Sequence, residues 1–132
     1  MNEKAKALKA RTKKFALDVL TFVRALPSSE EAKVVGRQLI RSATGVGANY
    51  RATCCSRSQA EFVARLGVAL EEADESAFWL EIITEGRIAT GKRALELLDE
   101  ADQLSAILAA SSITASESLE RSGDANKRPN LK

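Results

Sequence analysis

Four segments of this chain repeat apolar or small residues every three or four positions, and the first and third repeats stop at residues that end helices. In the first, Leu8, Thr12, Phe15, Val19, Phe22 and Leu26 advance by four and three until Pro27, whose ring and missing N–H forbid continuation. Ser28 or Ser29 can cap the next start, with Glu31 near the positive end of the helix dipole. Val35, Leu39, Ser42, Val46, Asn49 and Thr53 then keep the same step. A third stripe, Phe62, Leu66, Ala69, Ala73, Ser76, Leu80 and Ile83, follows Ser56 or Ser58 and closes near Gly86. The fourth starts around Thr90 and carries Ala94, Leu97, Ala101, Leu104 and Leu108. The spacing predicts helices over 3–26, 29–54, 58–85 and 90–117. Each is about 35–40 Å long at 1.5 Å per residue. Links of a few residues force neighbours antiparallel, which gives an all-α, up-down-up-down four-helix bundle over residues 1–118. Residues 119–132 lose the periodicity and are expected to form a flexible C-terminal tail.

The chain has 132 residues, 45% of them hydrophobic, enough for one domain with an ordinary core. No apolar run reaches the eighteen or so residues of a membrane span, and the opening MNEKAKALKARTKK lacks the apolar segment of a signal peptide. A cytoplasmic protein with no membrane partner is expected. Cys54 and Cys55 are adjacent, so a bridge between them would be strained and would close almost no loop. They read as reduced thiols at a helix end, with a redox role beside Arg51 as the lesser alternative. There is no histidine. The usual general base, the usual zinc ligand and the Glu-x-x-His pattern of iron-binding bundles are therefore all missing, and neither catalysis nor a metal or other cofactor is expected.

The segment RSATGVGANYRATCC, residues 41–55, is thin for a helix. Gly45 and Gly47 each cost about 1 kcal/mol relative to alanine inside one. Ala43 and Gly47, four apart, leave one face nearly bare, so a neighbouring helix can approach closer than the usual 8–10 Å or so. A kink at the glycines is the alternative, and the unbroken phase of the stripe across them favours the continuous helix. Ser42 and Asn49 lie on that stripe, where a buried hydrogen-bond pair would fix register and a ligand contact is the lesser reading. Leu17, Leu20, Leu70 and Trp79 fall off the main stripes and are candidates for an oligomer interface, with a core position for Trp79, one residue before Leu80, as the alternative.

Charge is polarised along the chain. Residues 1–58 hold twelve Lys or Arg against four Asp or Glu, whereas residues 59–132 hold eight against fourteen. Lys9, Lys13, Lys33, Arg37, Arg41 and Arg51 can form a phosphate-binding surface, with Lys33, Arg37 and Arg41 recurring every four residues on the second helix. Two other readings stand beside it. One is plain solvation; the other is a head-to-tail ring in which these bases meet Glu71, Glu72, Asp74 and Glu75 of the next subunit. The formal net charge of only +2 leaves little excess for phosphate.

The stretches RALPSSEEAKVVGRQLIRSATGVGANYRA and RSQAEFVARLGVALEEADESAFWLEII carry a resemblance through the order and spacing of Leu26 and Pro27, Gln38 and Leu39, Arg41 to Ala43, Asn49, Arg57 and Ser58, and Phe62 with Leu66. Together they cover about two thirds of the chain and resemble the bacterial four-helix-bundle family associated with intervening sequences in 23S ribosomal RNA genes. Relatives of that family include the accessory variability proteins of diversity-generating retroelements, which form pentameric barrels and bind nucleic acid and a reverse transcriptase. The resemblance thus implies a homo-oligomer, specifically a homopentameric ring, with RNA or DNA and a nucleic-acid-processing protein as partners. The alternative is a structural or protein-interaction ring that binds no nucleic acid. Many family members follow the asparagine with a segment of the form xAEG, whereas here Asn49 is followed by Tyr50, Arg51, Ala52 and Thr53. The role of the missing carboxylate does not carry over, and the turn after the second helix is expected to be built differently.

Overall fold

The computed structural model describes residues 2–127. Four helices run α1 Glu3–Arg24, α2 Glu30–Cys54, α3 Gln59–Glu85 and α4 Lys92–Lys127, with no strand among the described residues. Side-chain caps start three of them. The Ala5 N–H donates to Asn2 Oδ1 at 2.8 Å, the Ala32 N–H to Ser29 Oγ at 3.3 Å and the Glu61 N–H to Ser58 Oγ at 3.1 Å, each satisfying a donor that the first turn leaves free. Of the serines the sequence offers, Ser29 and Ser58 are the caps.

Neighbours α1–α2, α2–α3 and α3–α4 pack together, α4 closes back on α1, and α1 and α3 lie on the diagonal. All four stripes face the interior. Phe15, Val19, Leu39, Leu80, Ala101 and Leu104 form the core at one end, while Val46, Leu66, Ala69, Ala73 and Leu108 form it at the other. No helix among the described residues is long and apolar enough to cross a membrane.

α2 is continuous through both glycines. A Cβ built on Gly47 would sit 3.4 Å from the Thr12 carbonyl oxygen and 3.7 Å from Lys13 Cα, so the α1 backbone itself comes up against this position. Ala43 is fully buried one turn earlier. At Gly45 the neighbour is α3: an added Cβ would fall within 2.9 Å of the Glu72 carboxyl group. The two glycines thus serve different neighbours, one on each flank of α2.

Two features differ from the sequence expectation. Ser42 does not pair with Asn49, since seven positions on one helix separate them by about 10.5 Å along its axis. Ser42 Oγ instead accepts from Ser76 Oγ of α3 at 3.0 Å and donates to the Leu39 carbonyl, while Asn49 Nδ2 donates to the Gly45 carbonyl of its own helix. The fourth helix also outruns 117 and reaches Lys127. An established helix adds residues at little cost, so lost amphipathicity marks where α4 leaves the bundle more than where its backbone order ends. The rest of the anticipated tail, 128–132, lies outside the described residues.

The α3–α4 connection shows what a cap can override. The Ile88 N–H donates to the Ile83 carbonyl at 2.9 Å and the Arg87 N–H to the Thr84 carbonyl at 3.3 Å, the double closure of a Schellman motif. The left-handed residue in it is Arg87, at φ 57°, instead of the adjacent Gly86.

Candidate nucleic-acid interface

Acidic residues are missing from two long runs: between Glu3 and Asp18, and between Glu31 and Glu61. The first covers most of α1 and the second nearly all of α2, so the groove where these helices meet has few local carboxylates. Lys9 and Lys13 from α1 and Arg51 from α2 surround a depression of about 330 Å³ whose floor is small: Ala16, Thr44, Gly47 and Ala48. None of the three cations lies within ion-pair distance of a carboxylate among the described residues. The thin stretch of α2 is what sinks this floor, because larger side chains at 44, 47 and 48 would fill the space between the bases.

Lys33 and Arg37 lie in the same α1/α2 groove near its other end, beside Val23, Leu26 and Pro27. Lys33 and Arg51 are eighteen residues apart, five whole turns, so they share one azimuth about 27 Å apart. Arg41 is placed differently. Its guanidinium ion-pairs with Glu75 and lies 3.8 Å from Glu72 of its own chain. Of the six bases singled out in the sequence, five therefore face the α1/α2 groove, and the sixth is held against α3.

The acidic half is partly matched within the chain as well. Arg11 grips Glu100 of α4 through two bonds, Nε to Oε2 at 2.9 Å and Nη2 to Oε1 at 2.6 Å, and Nη2 also donates to Gln103. That pairing holds Arg11 more firmly protonated than usual, although burial opposes it. Arg93 of α4 reaches Asp18 of α1 at 3.6 Å. Glu72 is less well served: burial, followed by neighbouring Glu75, pushes its carboxyl above the ordinary range against the pull of Arg41, with a smaller push from Glu71. Its buried Oε2 has no hydrogen-bond partner. Glu71 and Asp74 remain exposed on the outer face of α3.

The apolar residues proposed for an interface also separate. Leu17 is 53% exposed and Leu20 is half-buried. Leu70 and Trp79 pack partly against their own core. The aromatic that faces outward is Phe78, 49% exposed, with its ring edge-on to Trp79 at a centroid distance of 5.0 Å, and Ile82 continues that face one turn on. Helical phase could have found it, since Phe78 is half a turn or so away from the Leu80 and Ile83 stripe.

A family model for the 23S rRNA-intervening sequence protein matches residues 6–110, a span that contains the four stripes and the whole basic groove. The chain belongs to this family. A solved structure from Bacteroides thetaiotaomicron, a protein of unknown function from the S23 ribosomal protein family, is similar to it at 26% identity over 83% of this chain and 97% of that one, with a TM-score of 0.76. A comparison with curated proteins gives no match. In this member of the 23S rRNA-intervening sequence protein family, Arg51 follows Asn49 by two residues in the last turn of α2. It is the base that α2 places opposite Lys9 and Lys13.

Proposed function

We propose that this 23S rRNA-intervening sequence family protein is a non-catalytic, self-associating accessory protein that holds nucleic-acid phosphates against its α1/α2 face. The observation that carries the reading is the convergence of Lys9, Lys13 and Arg51, unmatched by acid, around a shallow floor of small residues. Lys33 and Arg37 extend it along the groove, which suits a polyanion better than a single small anion. The family's association with 23S rRNA makes structured RNA the first ligand to test and DNA the second. A cytoplasmic nucleic-acid-processing protein is the partner class such an accessory would serve.

Binding of a structured rRNA fragment and of duplex DNA, followed by fluorescence anisotropy across a salt series, tests this. Each phosphate contact contributes a slope of about −0.9 in log K against log salt for duplex DNA. The double substitution Lys9→Gln with Arg51→Gln should weaken binding across sequences and flatten that slope by about two contacts' worth. Arg41→Gln should have little effect on it. An unchanged slope in the double variant would remove the α1/α2 face from the reading.

A ring without nucleic-acid affinity is the second reading: exposed apolar residues occur on all four helices, and those of α1 and α3 lie in faces of opposite charge. Leu17 lies on the outer face of α1 among bases, while Phe78 and Ile82 lie on α3 with Glu71 and Asp74. Faces of opposite charge on diagonal helices suit a heterologous, head-to-tail contact, which gives a ring when the rotation between copies closes. Under this reading light scattering gives a multiple of 14.2 kDa, five copies for a pentamer, and 0.5 M salt loosens it. A monomer at micromolar concentration would rule out self-association.

A further inference from the structure

A hollow larger than the basic depression lies away from it among the described residues. It measures about 810 Å³ and opens between the N-terminal half of α1 and the middle of α4, over the C-terminal end of α2 and the start of α3. The hollow is open to solvent, and its volume is within the range of about 300 to 1,000 Å³ of small-molecule sites. Small residues facing across the gap, Ala7 on α1 and Ala110 and Ser111 on α4, leave it open. As a result Leu8, Phe62, Ile107 and Cys54 stay only half-buried along its wall. A second hollow of about 540 Å³ shares Lys4, Phe62, Ala110 and Ser111 with the first, so the two form one trough along α4.

Its charged groups are few and of one sign, among neutral polar side chains such as Asn2, Gln59 and Ser111. Lys4 and Arg11 stand at the first hollow, and no carboxylate lines either one. Arg11 is already held by Glu100, but Lys4 has no ion-pair partner among the described residues. Tyr50 lies on the inner wall beside Cys54. Burial first, and then the neighbouring thiol, push its phenol up to about 12, so it presents an uncharged hydroxyl. An apolar wall with one free cation at the mouth and no competing acid selects for a molecule with the opposite distribution.

We propose that this trough binds a small amphipathic anion, a medium-chain carboxylate or its equivalent, with the charged group at Lys4 and the apolar body against Leu8, Phe62 and Ile107. The site uses none of the six bases considered for nucleic acid and stands independently of that role. Cys54 on the wall and Cys55 outside it, exposed at the end of α2, provide an internal comparison.

The test follows alkylation by iodoacetamide, read by intact mass, with decanoate below its micellar concentration as the probe. In a Cys55→Ser variant, where Cys54 is the only thiol, saturating decanoate should slow the reaction at least tenfold. Uncharged decanol should protect at higher concentration only, and Lys4→Gln should weaken decanoate by about two- to fivefold, the size of an exposed ion pair, without affecting decanol. Ala110→Trp, at an exposed helix position, should fill the trough and abolish protection while leaving the thermal melt unchanged. The reciprocal Cys54→Ser variant should alkylate at Cys55 at the same rate with and without decanoate. Absence of protection, equal slowing of Cys55, or equal action of decanoate and decanol would each overturn the proposal. So would protection that rises with protein concentration in the absence of ligand, which would mean that a second copy covers the trough.

Discussion

Replacing Gly47 tests the close approach of α1 and α2 directly. An alanine Cβ there would stand 3.4 Å from the Thr12 carbonyl oxygen, 3.6 Å from its carbon and 3.7 Å from Lys13 Cα, all ordinary van der Waals separations. Gly47→Ala therefore needs no movement of α1 and should recover most of the helix-propensity difference, about 1 kcal/mol. Leucine adds three more carbons at a point where backbone, which cannot swing aside like a side chain, already occupies contact distance. It must separate the helices or turn into the depression between Lys13 and Arg51, and overpacking of this kind costs about 1–3 kcal/mol. Thermal melts at one fixed protein concentration, with chemical denaturation as a second measure, should place Gly47→Ala at or above the unmodified protein and Gly47→Leu several degrees below it. Equal melting of the two variants would mean that α1 is not pressed against this position, and the account of the thin helix would fail.

Three further substitutions probe other parts of the structure. Glu72→Gln should raise the melting temperature at pH 7 and not below about pH 4: folding raises this carboxyl above its ordinary 4.5, so its contribution is most favourable below that value and is lost as pH rises through the folded one. The same gain at both pH values would refute that origin. Ser42→Ala should cost about 1 kcal/mol because the buried contact between the Ser42 and Ser76 hydroxyls is lost and Ser76 keeps only the Glu72 carbonyl, while the double change of Ser42 and Ser76 to alanine should cost less than the sum of the two single ones; strict additivity in a double-mutant cycle would show the two hydroxyls to be uncoupled. Arg87→Gly should stabilise by about 1 kcal/mol by relieving a left-handed conformation at a side-chain-bearing residue, and a loss of stability would mean that the arginine makes a compensating interaction.

The four helices, their stripes and two of their caps were legible in the sequence because each depends on residues within a turn of one another. A three-to-four step specifies which face must be buried, Pro27 stops α1 whatever packs against it, and a serine before an apolar run meets donors three residues on. The continuity of α2 through Gly45 and Gly47 was legible for the same reason, since the stripe never loses phase. Tertiary structure decided what depends on the relative rotation of the helices. Arg37 and Arg41 are equivalent in the sequence pattern, yet the packing phase of α2 against α3 sends only Arg41 to Glu72 and Glu75 and leaves Arg37 in the α1/α2 groove. Phe78 and Trp79 are adjacent aromatics, and the same phase exposes the first while tucking the second partly against the core. The trough beside Cys54 has no sequence signal, because a void exists only where small residues from α1 and α4 happen to meet with nothing between them. Local hydrogen bonding and hydrophobic spacing set the elements; the pairing of charges and the location of empty space were set by distances between residues far apart in the chain.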